Sequence, residues 1–251
     1  MTQTFFIATP NHAAAATATG LPCALLCYRI RQGGVLQSTA LPRTTRGGLL
    51  GILFVENLDS TSLPRLQQQI LAECHRRGYI GVLFCSPPSL QSLQPLCTAL
   101  QAQDLTVFLP PESAAQVPHS IVLLPGSLSG GTFGQMVGDY TAQVPPNRIA
   151  LQMQRCRHWF SMPSTSPDGT PLPVDWLPPQ QMFYSPELCT NYCLAPKPDN
   201  KLEFLLLDDV TSITRRIQAA ANHGIPYTML SYDEWQSDAS ALAQMLTQTK
   251  E

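Results

Sequence analysis

Short apolar runs alternate with amphipathic segments along the chain, and most junctions between them carry Gly, Pro or Ser. This is a β/α rhythm. The runs that predict strands cover 5–8, 24–30, 49–55, 80–85, 106–109, 121–124, 149–153, 203–207 and 227–230. Most are continuous rather than alternating, the pattern of parallel strands covered on both faces. Within 63–77, Leu66, Ile70 and Cys74 recur at four-residue spacing, so one apolar stripe faces a sheet while Gln and Arg face outward. Gly78 closes that helix. Segments 90–101, 132–144, 212–223 and 239–247 read the same way, with Ser212 as an N-cap and Gly224 past the C-terminus. Eight or so such units predict an α/β fold, a closed (β/α)8 TIM-type barrel occupying 1–251 as a single domain. A doubly wound open sheet is the alternative. The Pro-rich and aromatic stretch 160–198, with Trp176, Phe183, Tyr184 and Tyr192, shows neither helical nor strand periodicity. It predicts a long excursion over one barrel face, where aromatic side chains can stack on a ligand or plug the mouth.

Composition narrows the function classes. With 251 residues, 44% hydrophobic and 13% charged, the chain can bury a full core. Lys+Arg 15 against Asp+Glu 17 leaves a net charge of -2, which supplies no field for nucleic acid or an anionic membrane. The start lacks a basic region and a signal-peptide core, and no run reaches the roughly eighteen apolar residues of a membrane span. A cytoplasmic location is the expectation. The 8 cysteines read as reduced thiols, because Cys74, Cys85 and Cys97 sit inside apolar patterns. Cys23-x3-Cys27 and Cys189-x3-Cys193 have the wrong spacing for a zinc knuckle, so neither a metal nor another cofactor is expected.

Common catalytic motifs are missing. The first strand is not followed by Gly-x-Gly-x-x-Gly, and there is no Walker loop; Gly126 to Gly131 resembles a phosphate loop in composition only. No Gly-x-Ser-x-Gly elbow is present.

The order of several phrases carries a resemblance. Ile70-Leu-Ala-Glu-Cys-His-Arg-Arg-Gly-Tyr-Ile-Gly-Val-Leu-Phe84 is followed by a helix and then by Leu105-Thr-Val-Phe-Leu-Pro-Pro111. Later come Val144-Pro-Pro-Asn-Arg-Ile-Ala-Leu151 and the acid, Ser, basic helix and Gly of 207–225. Together these resemble the family 18 glycoside hydrolases, the chitinase-like barrels, and most of all the branch of bacterial spore-peptidoglycan hydrolases. The resemblance implies a barrel in which the strand after the helix that ends in Gly-Tyr/Phe carries Asp-x-x-Asp-x-Asp-x-Glu, the Glu serving as general acid and the preceding Asp orienting the substrate's N-acetyl nucleophile.

Here those four positions hold Ile80, Leu83, Cys85 and Pro87. Two further landmarks differ, with Leu124-Pro-Gly-Ser127 at the Met-x-Tyr-Asp strand end and Ser231 at the last strand's Trp. The resemblance therefore implies the fold with its catalytic acids lost. Leu83 and Cys85 are expected inside the barrel, Pro87 at the strand end, and no deep sugar-sized pocket above them. Strand ends also offer replacements: Glu56-Asn57, Asp208-Asp209 and Asp233-Glu234-Trp235. Glu56, Asp208 and Asp233 could rebuild a carboxylate pair, or the Asp pairs could cap helices. His158, beside Arg155, Arg157 and Trp159, joins Tyr184 and Trp235 as the expected ligand-binding set, since cations and aromatic faces suit sugars or acidic groups. Three functions follow as expectations: a non-catalytic barrel that binds a glycan or a protein partner, an active glycosidase with a rebuilt site, and a structural or assembly subunit. The last is suggested by the apolar, Pro-rich stretch 172–184.

Overall fold

The computed structural model describes residues 2–39, 41–42, 46–56, 58–126, 131–162, 169–172, 181–196 and 202–248. The chain begins with β1 (Gln3–Ala8), α1 (Ala13–Ala18), β2 (Cys23–Arg31), the hairpin strand β3 (Val35–Ser38) and β4 (Leu49–Val55). The β/α alternation continues through α2 (Leu63–Arg77), β5 (Gly81–Phe84), α3 (Leu90–Gln101), β6 (Thr106–Leu109), α4 (Pro111–Ala114), β7 (Ile121–Pro125), α5 (Phe133–Gln143) and β8 (Ile149–Met153). An antiparallel insertion follows, built from β9 (Arg157–Met162), β10 (Thr170–Pro171), β11 (Phe183–Ser185), β12 (Thr190–Pro196) and β13 (Leu202–Leu207). Helix α6 (Val210–Asn222), β14 (Tyr227–Ser231), α7 (Tyr232–Trp235) and α8 (Ala239–Gln248) complete it.

Strands β1, β2, β4, β5, β6, β7, β8 and β14 pair in parallel in that order, and the β14–β1 and β1–β2 pairings close the ring. The expected TIM-type barrel is present. Its walls bury apolar side chains twice. The outer layer, including Leu50, Val82, Leu151 and Leu230, packs under the helices. The inner layer holds Phe5, Ala24, Leu49, Leu83, Phe108, Ile121, Ala150 and Met229. Continuous apolar runs are therefore what each strand needs. Two glycines show why the chain is locally specified. Gly78 ends α2 at φ 66°, the left-handed conformation that a glycine enters without strain. At Gly81 a Cβ would stand 2.3 Å from the Thr106 carbonyl oxygen, so β5 and β6 approach too closely for any side chain there.

Three expectations need correction. Segment 203–207 is not a barrel strand but part of β13, paired antiparallel with β9 and β12. Stretch 160–198 contains strands, in a 5-stranded sheet ordered β10-β9-β13-β12-β11. The cap of α6 is Asp209 rather than Ser212, its carboxylate accepting from the Ser212 N–H while the Ser212 hydroxyl accepts from the Asp209 N–H. Asn57, the phosphate-loop-like residues 127–130, Trp176 and most of the 172–184 stretch lie outside the described residues. No helix among the described residues is long and apolar enough to cross a membrane.

Candidate functional site

Parallel barrels carry their chemistry at the C-terminal ends of the strands. On β5, the fourth barrel strand, Leu83 is fully buried among the interior side chains. Beneath the mouth, Phe5, Phe108 and Tyr227 fill the lumen, Phe108 edge-on to both of the others and Phe5 tilted against Tyr227, with the Phe108 and Tyr227 centroids 5.1 Å apart. Cys85 lies just past the strand, half-buried over this cluster with Ile7, Leu26 and Leu123. Burial pushes its thiol up to about 11. Pro87 follows beyond the strand end and is half-buried; Ile80 sits before the strand, 37% exposed. Of the residues that the resemblance sets against four acids, Leu83 thus adds to the apolar interior and Cys85 brings a neutral thiol to the mouth.

The three strand-end acids have separate partners. Glu56 pairs with Arg31 at 2.5 Å and accepts from the Gln32 N–H at 2.9 Å, and these bonds hold its carboxyl below the usual range. Asp233 pairs with His12, whose other ring nitrogen lies 3.0 Å from the Gln236 amide. Asp208 is 1% exposed and fully engaged. It accepts from Arg216 at 2.9 Å, Thr190 at 2.6 Å, the Ser212 hydroxyl at 3.0 Å and the Cys156 N–H at 2.7 Å. It thereby ties β12, the entry to β9 and the start of α6 into one knot. Among the described residues Asp208 and Arg216 are the only buried charged side chains.

Arg155, at the end of β8, organises the neighbouring corner. Its guanidinium stacks 4.3 Å from the centroid of Trp235, pairs with Asp238 at 2.8 Å and donates to the Glu234 carbonyl. Its backbone N–H donates to Glu234 Oε2 at 2.8 Å. Burial raises the Glu234 carboxyl above its ordinary range; the Arg155 N–H and charge oppose this, and the Asp208 and Asp233 charges add to it. His12 and Asp238 were not visible as site residues in the sequence, because no local pattern links positions so far apart.

The expected ligand-binding residues lie at different places. His158 is half-buried next to the Cys156 thiol, 3.8 Å away. Trp159, the next residue on β9, is half-buried on the opposite face. Tyr184, on the edge strand β11, lies under Arg215 of α6 at 4.4 Å. Burial first, then the charge and the hydrogen bond of Cys189, push its phenol up to about 12. Trp235 is 0% exposed and forms part of the core. Among the described residues no cluster of His, Cys, Asp or Glu could hold a metal ion.

No family model matches the chain, and no curated protein matches it in sequence. Solved structures do match in shape. A family 18 chitinase from Cycas revoluta, in complex with (GlcNAc)3, superposes with a TM-score of 0.60 at 10% identity, covering 97% of this chain and 99% of that one. A family 18 N-acetylglucosaminidase from Paenibacillus barengoltzii gives 0.59 at 11% identity, covering 97% and 99%. The spore cortex-lytic enzyme SleL of Bacillus megaterium gives 0.57 at 9% identity, covering 91% and 70%. The chain has the barrel fold of the family 18 chitinases and the spore cortex-lytic enzymes.

Proposed function

We propose that the chain is a non-catalytic barrel of the family 18 type that binds a glycan or a protein partner. The observation that carries this reading is Leu83, buried in the apolar interior where the resemblance places an acid. Hydrolysis of this kind needs a group that protonates the glycosidic oxygen. Pro87 has no proton to give, and the Cys85 thiol, raised by burial, is a far weaker acid than a carboxyl. Ligand contact falls to the half-buried Trp159 and Tyr184, which the strand register sets on one face of the inserted sheet; His158 stands on the other face and Trp235 in the core. The Cycas enzyme holds (GlcNAc)3, so N-acetylglucosamine oligomers are the first probes, and peptidoglycan fragments the second. In calorimetric titration we expect saturable binding that Trp159→Ala weakens about tenfold, a loss of about 1.4 kcal/mol. Absence of binding to either probe would overturn the glycan half of the proposal.

A rebuilt hydrolytic site is the second reading. Glu234 favours it, because a carboxyl raised by burial at a barrel's C-terminal end is a candidate general acid. Under this reading, Glu234→Gln removes a turnover that the wild-type protein shows.

A further inference from the structure

One stretch of the barrel's outer wall has only a short helix over it. Helices α2 and α3 have 15 and 12 residues, whereas α4, between β6 and β7, has 4. A helix of that length spans about 6 Å, while β7 with the residue before it runs roughly 16 Å from Ser120 to Pro125. The shortfall leaves a hollow of about 380 Å³ between α4 and α5, over the outward-facing Val122 and Leu124 of β7. Ala114 and Ala115 line one side; Val144 and Pro145, where α5 ends, line the other. The Tyr140 hydroxyl, on the α5 side, is already committed, donating to the Pro125 carbonyl at 3.0 Å. Arg148 is the only charged side chain among the described lining residues. It is half-buried, and its Nε donates to the Ser120 carbonyl at 3.0 Å, which anchors the guanidinium at the end of the hollow where β7 begins. Its two terminal nitrogens form no hydrogen bond or ion pair with a described residue.

We infer that this hollow binds a straight-chain monocarboxylate of medium length, its carboxylate paired with the terminal N–H groups of Arg148 and its alkyl tail laid along β7 toward Pro125. A mostly apolar lining with one placed polar group is the composition of a small-molecule site, and the volume lies in the range such sites occupy. The guanidinium fixes the head group, because its planar fork presents parallel N–H donors that fit a single carboxylate. The walls fix the tail. A sugar would set hydroxyls against alanine, valine and leucine with no partners. A peptide C-terminus would bring backbone N–H groups for which these apolar walls hold no acceptor. Glu112 and Asp139, on the two flanking helices, are exposed and do not line the hollow, so neither takes the place of the ligand's carboxylate.

The hollow lies on the outside of the barrel wall, so the inference does not depend on what the mouth or the inserted sheet binds. Equilibrium dialysis of the full chain against radiolabelled decanoate, kept below its micelle range, should show saturable binding. Decanol, with the same tail and no charge, and hexanoate, which buries fewer methylenes, should each bind roughly tenfold or more weakly. Arg148→Gln and Ala115→Trp should each lower the decanoate affinity roughly tenfold or more. The first removes the cation; the second fills the hollow from an exposed position and leaves Arg148 in place, so it should keep the wild-type melting temperature. Leu194→Glu, at an exposed site on the inserted sheet, should leave decanoate binding unchanged. If Arg148→Gln does not fold, Ala115→Trp and the decanol comparison carry the test. Absence of saturable decanoate binding, equal affinity for decanol and decanoate, or binding that Leu194→Glu abolishes and Ala115→Trp does not, overturns the inference. Each of these results leaves the proposed function of the barrel standing.

Discussion

Arg216 donates to Asp208 at 2.9 Å, with the two side chains only 1% and 0% exposed. The pair lies where the inserted sheet returns to the barrel, and its other partners come from Cys156, Thr190 and Ser212. A buried ion pair is weak evidence of net stabilisation, but losing one partner strands the other. Arg216 Nε already has no hydrogen-bond partner. We predict that Asp208→Ala costs about 3–5 kcal/mol in chemical denaturation. Combining it with Arg216→Met should recover part of that loss. A single-variant loss within the error of a surface substitution would show the knot to be dispensable.

The adjacent acid should behave differently. Asp209 caps α6 from a partly exposed position, so Asp209→Ala should cost about 1 kcal/mol, the usual worth of an N-cap. Equal losses at positions 208 and 209 would contradict these separate roles.

Strands of the barrel were legible because each is an apolar run ending at a turn signal, as at Gly78 to Phe84. The run at 203–207 looks identical and is also followed by a capped helix. Only its antiparallel partners β9 and β12 distinguish it, and pairing is a non-local property. The insertion was missed because both of its faces carry apolar residues, Tyr192 and Leu194 on one and Cys193 on the other, so no alternation shows. That Ile80, Leu83, Cys85 and Pro87 stand where the resemblance sets four acids could be read from the phrase around Gly78 and Tyr79. The grouping of Arg155 with Glu234 and Trp235 could not, since those contacts join residues 79 and 80 apart in sequence.

Glu234 gives a pH test. Its carboxyl is raised in the folded protein, chiefly by burial, so folding favours the protonated form. Its stabilising contribution is present at low pH and is lost as pH rises through the folded-state value. Glu234→Gln keeps an acceptor for the Arg155 N–H without the charge. Its melting temperature relative to wild type should therefore be higher at pH 7 than at pH 4, with all values taken in one buffer series. A difference that does not change with pH would contradict the assigned shift.

Cys85 tests whether the mouth is still apolar. A single carboxylate there would face Ile7, Leu26 and Leu123, at a place where burial already disfavours the charged form of the Cys85 thiol. Cys85→Asp should lower stability by about 2–3 kcal/mol at neutral pH, less than full burial would cost because the site is half-buried. The loss should shrink in acid, where the introduced group is protonated. An unchanged melting temperature would mean that the position is solvated and that room for a sugar remains above Leu83.

The central proposal is a barrel of the family 18 shape that does not hydrolyse glycans. Its most direct test is product release from N-acetylglucosamine oligomers and from peptidoglycan fragments, followed chromatographically with the purified full chain. The account predicts no release above the enzyme-free control, and no difference between wild type and Glu234→Gln. Turnover by the wild-type protein that disappears in Glu234→Gln would contradict it and establish a rebuilt acid at the mouth of the barrel.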